Sequence, residues 1–391
     1  MAEWIETLLS DILVDKGYIR GPFGSALKRG DMKEDGIPVY EQQHAIYNSR
    51  DFRYYIDKQK FNEMKRYQVR KDDLIISCSG TVGKVSIIKD DDPKGIISQA
   101  LLLLRADTNK ILPLYLKYFF SSRDGYNAIV SRSSGSVQVN IAKRSVIEQI
   151  PLKLPQIKIQ RKIVGVLSSI DEKIEENKRI NNNLEQQAIA IYQQMFIENP
   201  SSDWKEGTLS DIADITMGQS PSGSSYNEKS IGTIFFQGRA EFGFRFPTVH
   251  LFTTEPKRMA STNDTLMSVR APVGDLNVAH TECCIGRGLA AIHSKDNHQS
   301  FVLYTMFSLK KQLDVFNGEG TVFGSINRNS LNAMPILIPS DEVLDKFEKI
   351  VAPMDLIIRN NYDEICSLQS IRDSLLPKLM SGELDVSNID I

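Results

Sequence analysis

The run SGTVGKV at residues 79–85 sets glycines beside a lysine, the residue types with which a loop cradles a nucleotide phosphate. Its glycines stand too close together for that loop, and Val85 sits where a Ser or Thr hydroxyl would meet magnesium, so a hairpin turn is expected instead. Asp171, Glu172, Lys173 and Glu175 gather the carboxylates and lysine of a nuclease centre, but their spacing puts them on the solvated flank of a long helix. Asn199-Pro200-Ser201 falls short of the Asn/Asp/Ser-Pro-Pro-aromatic tetrad with which amino-methyltransferases hold a flipped adenine; it is read as a linker, and no methyl transfer is expected from this chain alone. The sequence contains no GxSxG elbow, HExxH helix or dinucleotide fingerprint. Cys78, Cys283, Cys284 and Cys366 fall in no paired ligand spacing, and the five histidines are scattered. The cysteines are read as small buried residues in a reducing compartment, and no structural metal is expected.

With catalytic chemistry set aside, the elements that would position a binding surface come forward. Residues 156–199 carry a heptad repeat with one seam at Ile163, Ile170, Asn177, Leu184 and Ile191 and another at Leu167, Ile174, Asn181, Ala188 and Met195. The same pattern returns 184 residues later, with Phe347, Met354, Asn361, Leu368 and Leu375 in one seam and Val351, Ile358, Ile365, Arg372 and Leu379 in the other. The flanks Glu172, Lys173, Glu175, Glu176, Lys178 and Arg179 leave only a narrow stripe, which predicts that the two helices pair with each other. At ~1.5 Å per residue such a helix is a rod of roughly 60 Å, long enough to act as a spacer.

The segments before each helix also repeat. TLLSDI at residues 7–12 answers TLSDI at 208–212, GPFGS at 21–25 answers GQSPSGSS at 218–225, and Ser77 and Gly83 answer Ser268 and Gly274. SQALLLL at 98–104 answers GRGLAAI at 286–292, SSGSVQVNI at 133–141 answers GEGTVFGSI at 318–326, and IPLKLP at 150–155 answers MPILIP at 334–339. The expected layout is a globular domain at 1–155, a helix at 156–199, a second domain at 200–339 and a second helix at 340–391. Antiparallel helices would put the two mixed α/β domains at opposite ends of the rod, related by a pseudo-two-fold axis, and would set Asn181 against Asn361. Together with Asn177, these polar seam residues are expected to fix the register at some loss of stability.

The formal net charge of −2 divides unevenly. Residues 1–155 hold 24 basic against 19 acidic residues, or +5, so any nucleic-acid surface must be arranged by face and not by total charge. No stretch has the apolar length to cross a bilayer, and MAEWIETLLSDI has no signal-peptide layout, so a cytoplasmic protein with no membrane partner is expected.

QRKIVGVLSSIDEKIEEN from Gln160 and SIRDSLLPKLMSGELDV at residues 370–386 resemble the central and distal conserved helices of specificity (S) subunits of type I restriction-modification enzymes. The loops GPFGS and GQSPS and the late GSVQVNI element are similar to parts of that family's target recognition domains. The resemblance implies a non-catalytic subunit that reads a bipartite, asymmetric double-stranded DNA target through its two domains. It implies two methylation subunits docked on the helices, joined by restriction subunits. It places S-adenosylmethionine, ATP and magnesium in those partners, with no cofactor in this chain.

Base reading needs side chains that present donors or acceptors to groove edges, and the small-residue loops supply them. The candidates are Ser25, Lys28, Ser79, Thr81, Lys84, Arg132 and Ser136 in the first domain, and Gln219, Ser220, Ser222, Arg239, Arg270 and Thr321 in the second. A coiled-coil scaffold joining two protein-interaction domains, without DNA binding, is the competing expectation.

Overall fold

The computed structural model describes residues 4–133, 139–318 and 324–388. Its contacts divide into two compact units, residues 1–174 with 366–391, and residues 175–365. The four sequence segments follow element boundaries, whereas compactness cuts through both long helices and assigns half of each to either unit.

In the first unit, Leu13–Arg20, Leu101–Ala106, Leu74–Ser77 and Val85–Ile87 form an antiparallel sheet in that spatial order. Leu74–Ser77 is buried throughout, as an uninterrupted apolar run bounded by turns should be. One face of the sheet packs under helix Pro113–Ser121, which begins with proline at its first position, where the missing N–H leaves no bond unmade. The other face covers a smaller core around Ile19, Tyr40, Ile75 and Leu103. Beside it Ile37–Tyr40 pairs in parallel with Ile96–Ile97. Trp4–Leu8 runs antiparallel to Pro151–Pro155, which delivers the chain to the helix Ile157–Tyr192.

The second unit repeats this order in its main sheet and its parallel pair, and has the strands Tyr226–Asn227 and Met259–Ala260 where the first unit has isolated bridges. Ala213–Met217, Leu289–Ser294, Thr265–Ser268 and Leu276–Val278 form its main sheet, Thr233–Phe236 pairs in parallel with Cys283–Ile285, and Lys205–Thr208 pairs with Pro335–Ile338 before the helix Asp341–Ser381. An internal repeat read from scattered short matches is thus a repeat of topology.

Two equivalent glycines explain why one of those matches is invariant between the halves. A Cβ on Gly21 would run into the Ser98 carbonyl, and one on Gly218 into the Gly286 carbonyl. Gly21→Ala is therefore expected to destabilise the first unit by about 1–3 kcal/mol, while Gly30→Ala, which faces open space, has no effect. The chain has two tryptophans, Trp4 in the first unit and Trp204 in the second, so urea unfolding followed by Trp4 fluorescence in a Trp204→Phe background reads this directly.

Within each unit the two long helices run antiparallel. In the second, ring contacts join Tyr192 to Phe347, the Asn361 amide donates to Asn181 Oδ1 at 2.8 Å, and the Asn177 amide donates to Glu364 at 2.7 Å, so partner numbers rise as the first helix is descended. In the first, Arg372 meets Asp171 at 3.1 Å and Lys162 donates to the Ser387 carbonyl at 2.7 Å, while Ile163 and Leu167 share a core with Leu376 and Leu379. Every apolar seam position is buried or half-buried.

Two expectations need correction. Asp171 is not a solvated flank residue: it is half-buried and takes bonds from Lys117, Tyr118 and Arg372, because the helix Pro113–Ser121 covers that face. Cys366 is exposed, since it lies off both seams; the other three cysteines are buried.

Candidate nucleic-acid interface

The sheet brings the loop and the hairpin that carry most of the candidates to one end. Arg20 pairs with Leu102 and Ser77 with Leu101, so the loop after Arg20 and the hairpin after Ser77 leave the sheet side by side. Residues 77–84 close as a hairpin, with bonds from Ser77 to Lys84 and from Gly83 to Ser77 of 2.9 Å each. Gly80 and Gly83 turn it at positive φ, a conformation that costs glycine little. The Gly80 N–H then donates to the Val139 carbonyl and Ser79 bridges Asn140, which docks the end of the 133–141 element on the hairpin. In the second unit the Ala271 N–H donates to the Gly324 carbonyl and Arg270 bridges Ser325.

On this frame Thr81 and Lys84 are exposed, with the Lys84 ammonium 5.0 Å from the Tyr126 ring centre. Ser79 is half-buried and its backbone N–H donates to Gln42 Oε1 at 3.0 Å. Lys28 is exposed, its backbone held by Asp31. Ser25 lies in the short helical turn Gly24–Ala26. Arg132 turns back onto the Ala128 carbonyl at 2.9 Å, which commits part of its guanidinium to its own helix.

In the second unit Gln219 and Ser222 are exposed, with Ser222 bonded to Ser224, and Ser220 accepts from the Arg287 N–H at 3.3 Å. Arg239 reaches the hairpin by an ion pair with Asp275. Arg270 is exposed and forms no ion pair among the described residues. Ser136 and Thr321 lie outside the described residues.

The same sheet end holds groups that the loop motifs did not point to. Gln42 organises the first hairpin, Lys310 meets Asp275 at 3.6 Å in the second, and the Arg287 side chain is exposed beside Ser220. Phe23 stands 64% exposed in the GPFGS loop under the Arg20 guanidinium, an exposure that an aromatic ring needs if it is to meet a base or a ribose. Gln42 and Lys310 are distant in sequence from the loops, and only strand order brings them close.

Equivalent positions carry different chemistry. Ser79, Thr81 and Lys84 of one hairpin stand where the other has Arg270, Pro272 and Asp275. One frame therefore presents two distinct sets of donors and acceptors.

This duplicated fold, with a matched hairpin in each half, defines a two-module protein. The chain belongs to the type I restriction modification DNA specificity domain family, which matches residues 24–186 and again 201–364. It is a DNA-specificity subunit of the type I restriction-modification kind. It is 29% identical over 359 residues to the putative type I restriction enzyme MjaX specificity subunit of Methanocaldococcus jannaschii, covering 85% of this chain and 83% of that one. Identity to the HindI specificity subunit of Haemophilus influenzae is 21% over 394 residues, with 77% and 84% covered. The crystal structure of the type I S subunit from M. genitalium has the same fold, with a TM-score of 0.63 at 16% identity across 99% of this chain and 97% of that one. Among the described residues no helix is long and apolar enough to cross a membrane.

Proposed function

We propose that each unit reads one half of a bipartite, asymmetric target in double-stranded DNA, and that the paired helices hold the halves at a set spacing and carry two methylation subunits. Restriction subunits complete the assembly in the cytoplasm, where the genomic duplex lies. S-adenosylmethionine, ATP and magnesium belong to those partners, and this chain contributes recognition without catalysis. The observation that carries this reading is the paired hairpin: a shared backbone frame presenting Ser79, Thr81 and Lys84 once and Arg270, Pro272 and Asp275 once. Two different sets of groups on one frame suit two different half-sites.

The test is duplex binding by the complex of this chain with its methyltransferase partner, measured across salt concentrations. A DNA reader loses affinity steeply with salt, by a log–log slope of about −0.9 for each phosphate neutralised. A flat response would favour the scaffold. Arg270→Ala is expected to cost about 1–3 kcal/mol at one position of one half-site and to relax the choice of base there. Lys84→Ala should weaken all duplexes alike and shallow the salt slope by about one phosphate.

A further inference from the structure

Both units tie their globular part to a long helix through a buried tyrosine and an aspartate. The Tyr118 hydroxyl donates to Asp171 Oδ2 at 2.8 Å, and the Tyr304 hydroxyl donates to Asp355 Oδ1 at 2.8 Å. The aspartates are 184 positions apart, the same offset that relates the heptads, so they are matched residues of the two helices. The tyrosines come from the corresponding helices Pro113–Ser121 and Gln299–Ser308, at positions that do not match along them. The contact is retained although the route to it differs.

The surrounding cations differ as well. Asp171 is completed by Lys117 and Arg372, each at 3.1 Å, whereas Asp355 has Arg245 at 3.4 Å. The tyrosine–aspartate bond is the part common to both.

We infer that these two pairs are positioning residues that fix the angle between each recognition domain and its helix, and through it the spacer length the complex accepts. Both rings are planted in the core, at 2% and 1% exposure, so neither hydroxyl can follow its aspartate if the domain tilts. A hydroxyl-to-carboxylate bond that is partly shielded from water is directional and stronger than one between neutral groups. Its leverage is large. A tilt of about 10° acting over about 25 Å, roughly the width of such a domain, moves the reading surface by about 4 Å. That exceeds the ~3.4 Å rise per base pair.

The inference rests on the DNA-recognition reading, and its experiment separates the two. The complex with the methyltransferase partner is offered duplexes carrying the cognate half-sites at the cognate spacing and at spacings one base pair shorter and longer. The unaltered protein is expected to prefer its own spacing by more than tenfold. With Tyr118→Phe and Tyr304→Phe combined, the preference should fall to within about threefold, while a wrong base in either half-site remains as costly as before. Tyr118→Phe and Tyr304→Phe taken singly leave both carboxylates to their cations and should each lose part of the preference; an unchanged preference in both single variants would overturn the inference, and if the double variant does not assemble, the single variants decide.

An unchanged spacing preference in an intact Phe complex would overturn the inference. So would an equal loss of affinity for all three spacings, which is what a purely structural role predicts. If the unaltered complex shows no sequence preference at all, the recognition reading fails and takes the inference with it.

Discussion

Arg245→Ala is expected to destabilise the second unit by about 3–5 kcal/mol at neutral pH, the cost of removing one partner from a buried ion cluster. Arg245 is 4% exposed and lies between both long helices, with its Nη2 3.3 Å from Glu185, 3.4 Å from Asp355 and 3.1 Å from the Tyr304 hydroxyl. Burial works against its charge, but Tyr304, Asp355 and Glu185 outweigh that and hold its pKa above the usual value. Burial pushes the Asp355 and Glu185 carboxyls up, and Arg245 offsets this only in part. Folding thus favours the protonated forms of these two acids. Their contribution is fully present below the unfolded carboxylate range, near pH 4, and is lost as pH rises through the higher folded values. Without Arg245 both shifts grow, so the deficit in Arg245→Ala should be largest at pH 7 and shrink toward pH 4.5. Urea unfolding followed by Trp204 fluorescence in a Trp4→Phe background measures it. A deficit independent of pH would show that the variant lost packing and not charge pairing.

Exchanging residues 1–155 for the matching domain of a related chain that keeps a tyrosine at the place of Tyr118 is expected to replace one half-site entirely and leave the other half and the spacer untouched. The junction is favourable because Pro155 ends a strand and the helix Ile157–Tyr192 begins two residues later. The first sheet, its hairpin and the 133–141 element all lie on the exchanged side, whereas Asp171, Arg372 and the seam lie on the retained side. Sequencing of modified bases in a host expressing the hybrid reads the outcome. A change in both half-sites would mean that the domains do not read independently.

The seam and the repeat were legible because they are periodic. Ile163 and Leu167, or Phe347 and Val351, recur at spacings that survive without any knowledge of their partners, and a duplicated domain repeats its turn glycines wherever backbones must approach. What stayed hidden depends on contacts between distant segments. Asp171 sits among charged residues and reads as solvated until helix Pro113–Ser121 covers it. Arg245 falls in the aromatic run EFGFRFP, where nothing periodic marks one arginine as buried. Pro353 and Pro377 each remove a backbone donor, and by local propensity either would end the second helix; seam residues Val351, Ile358 and Leu379 are buried on both sides of them and hold the helix together. At the candidate interface, the turn motifs point to the hairpins and to the loop that carries Phe23, but Gln42 and Lys310 join them only through strand order.

The most direct measurement of the central claim is adenine methylation mapped across the genome of a host with and without this gene, its methyltransferase partner left in place. The account predicts that deletion erases one modified motif, built of two dissimilar blocks at a constant gap. An unchanged methylation map, or the loss of a single uninterrupted motif, would contradict it.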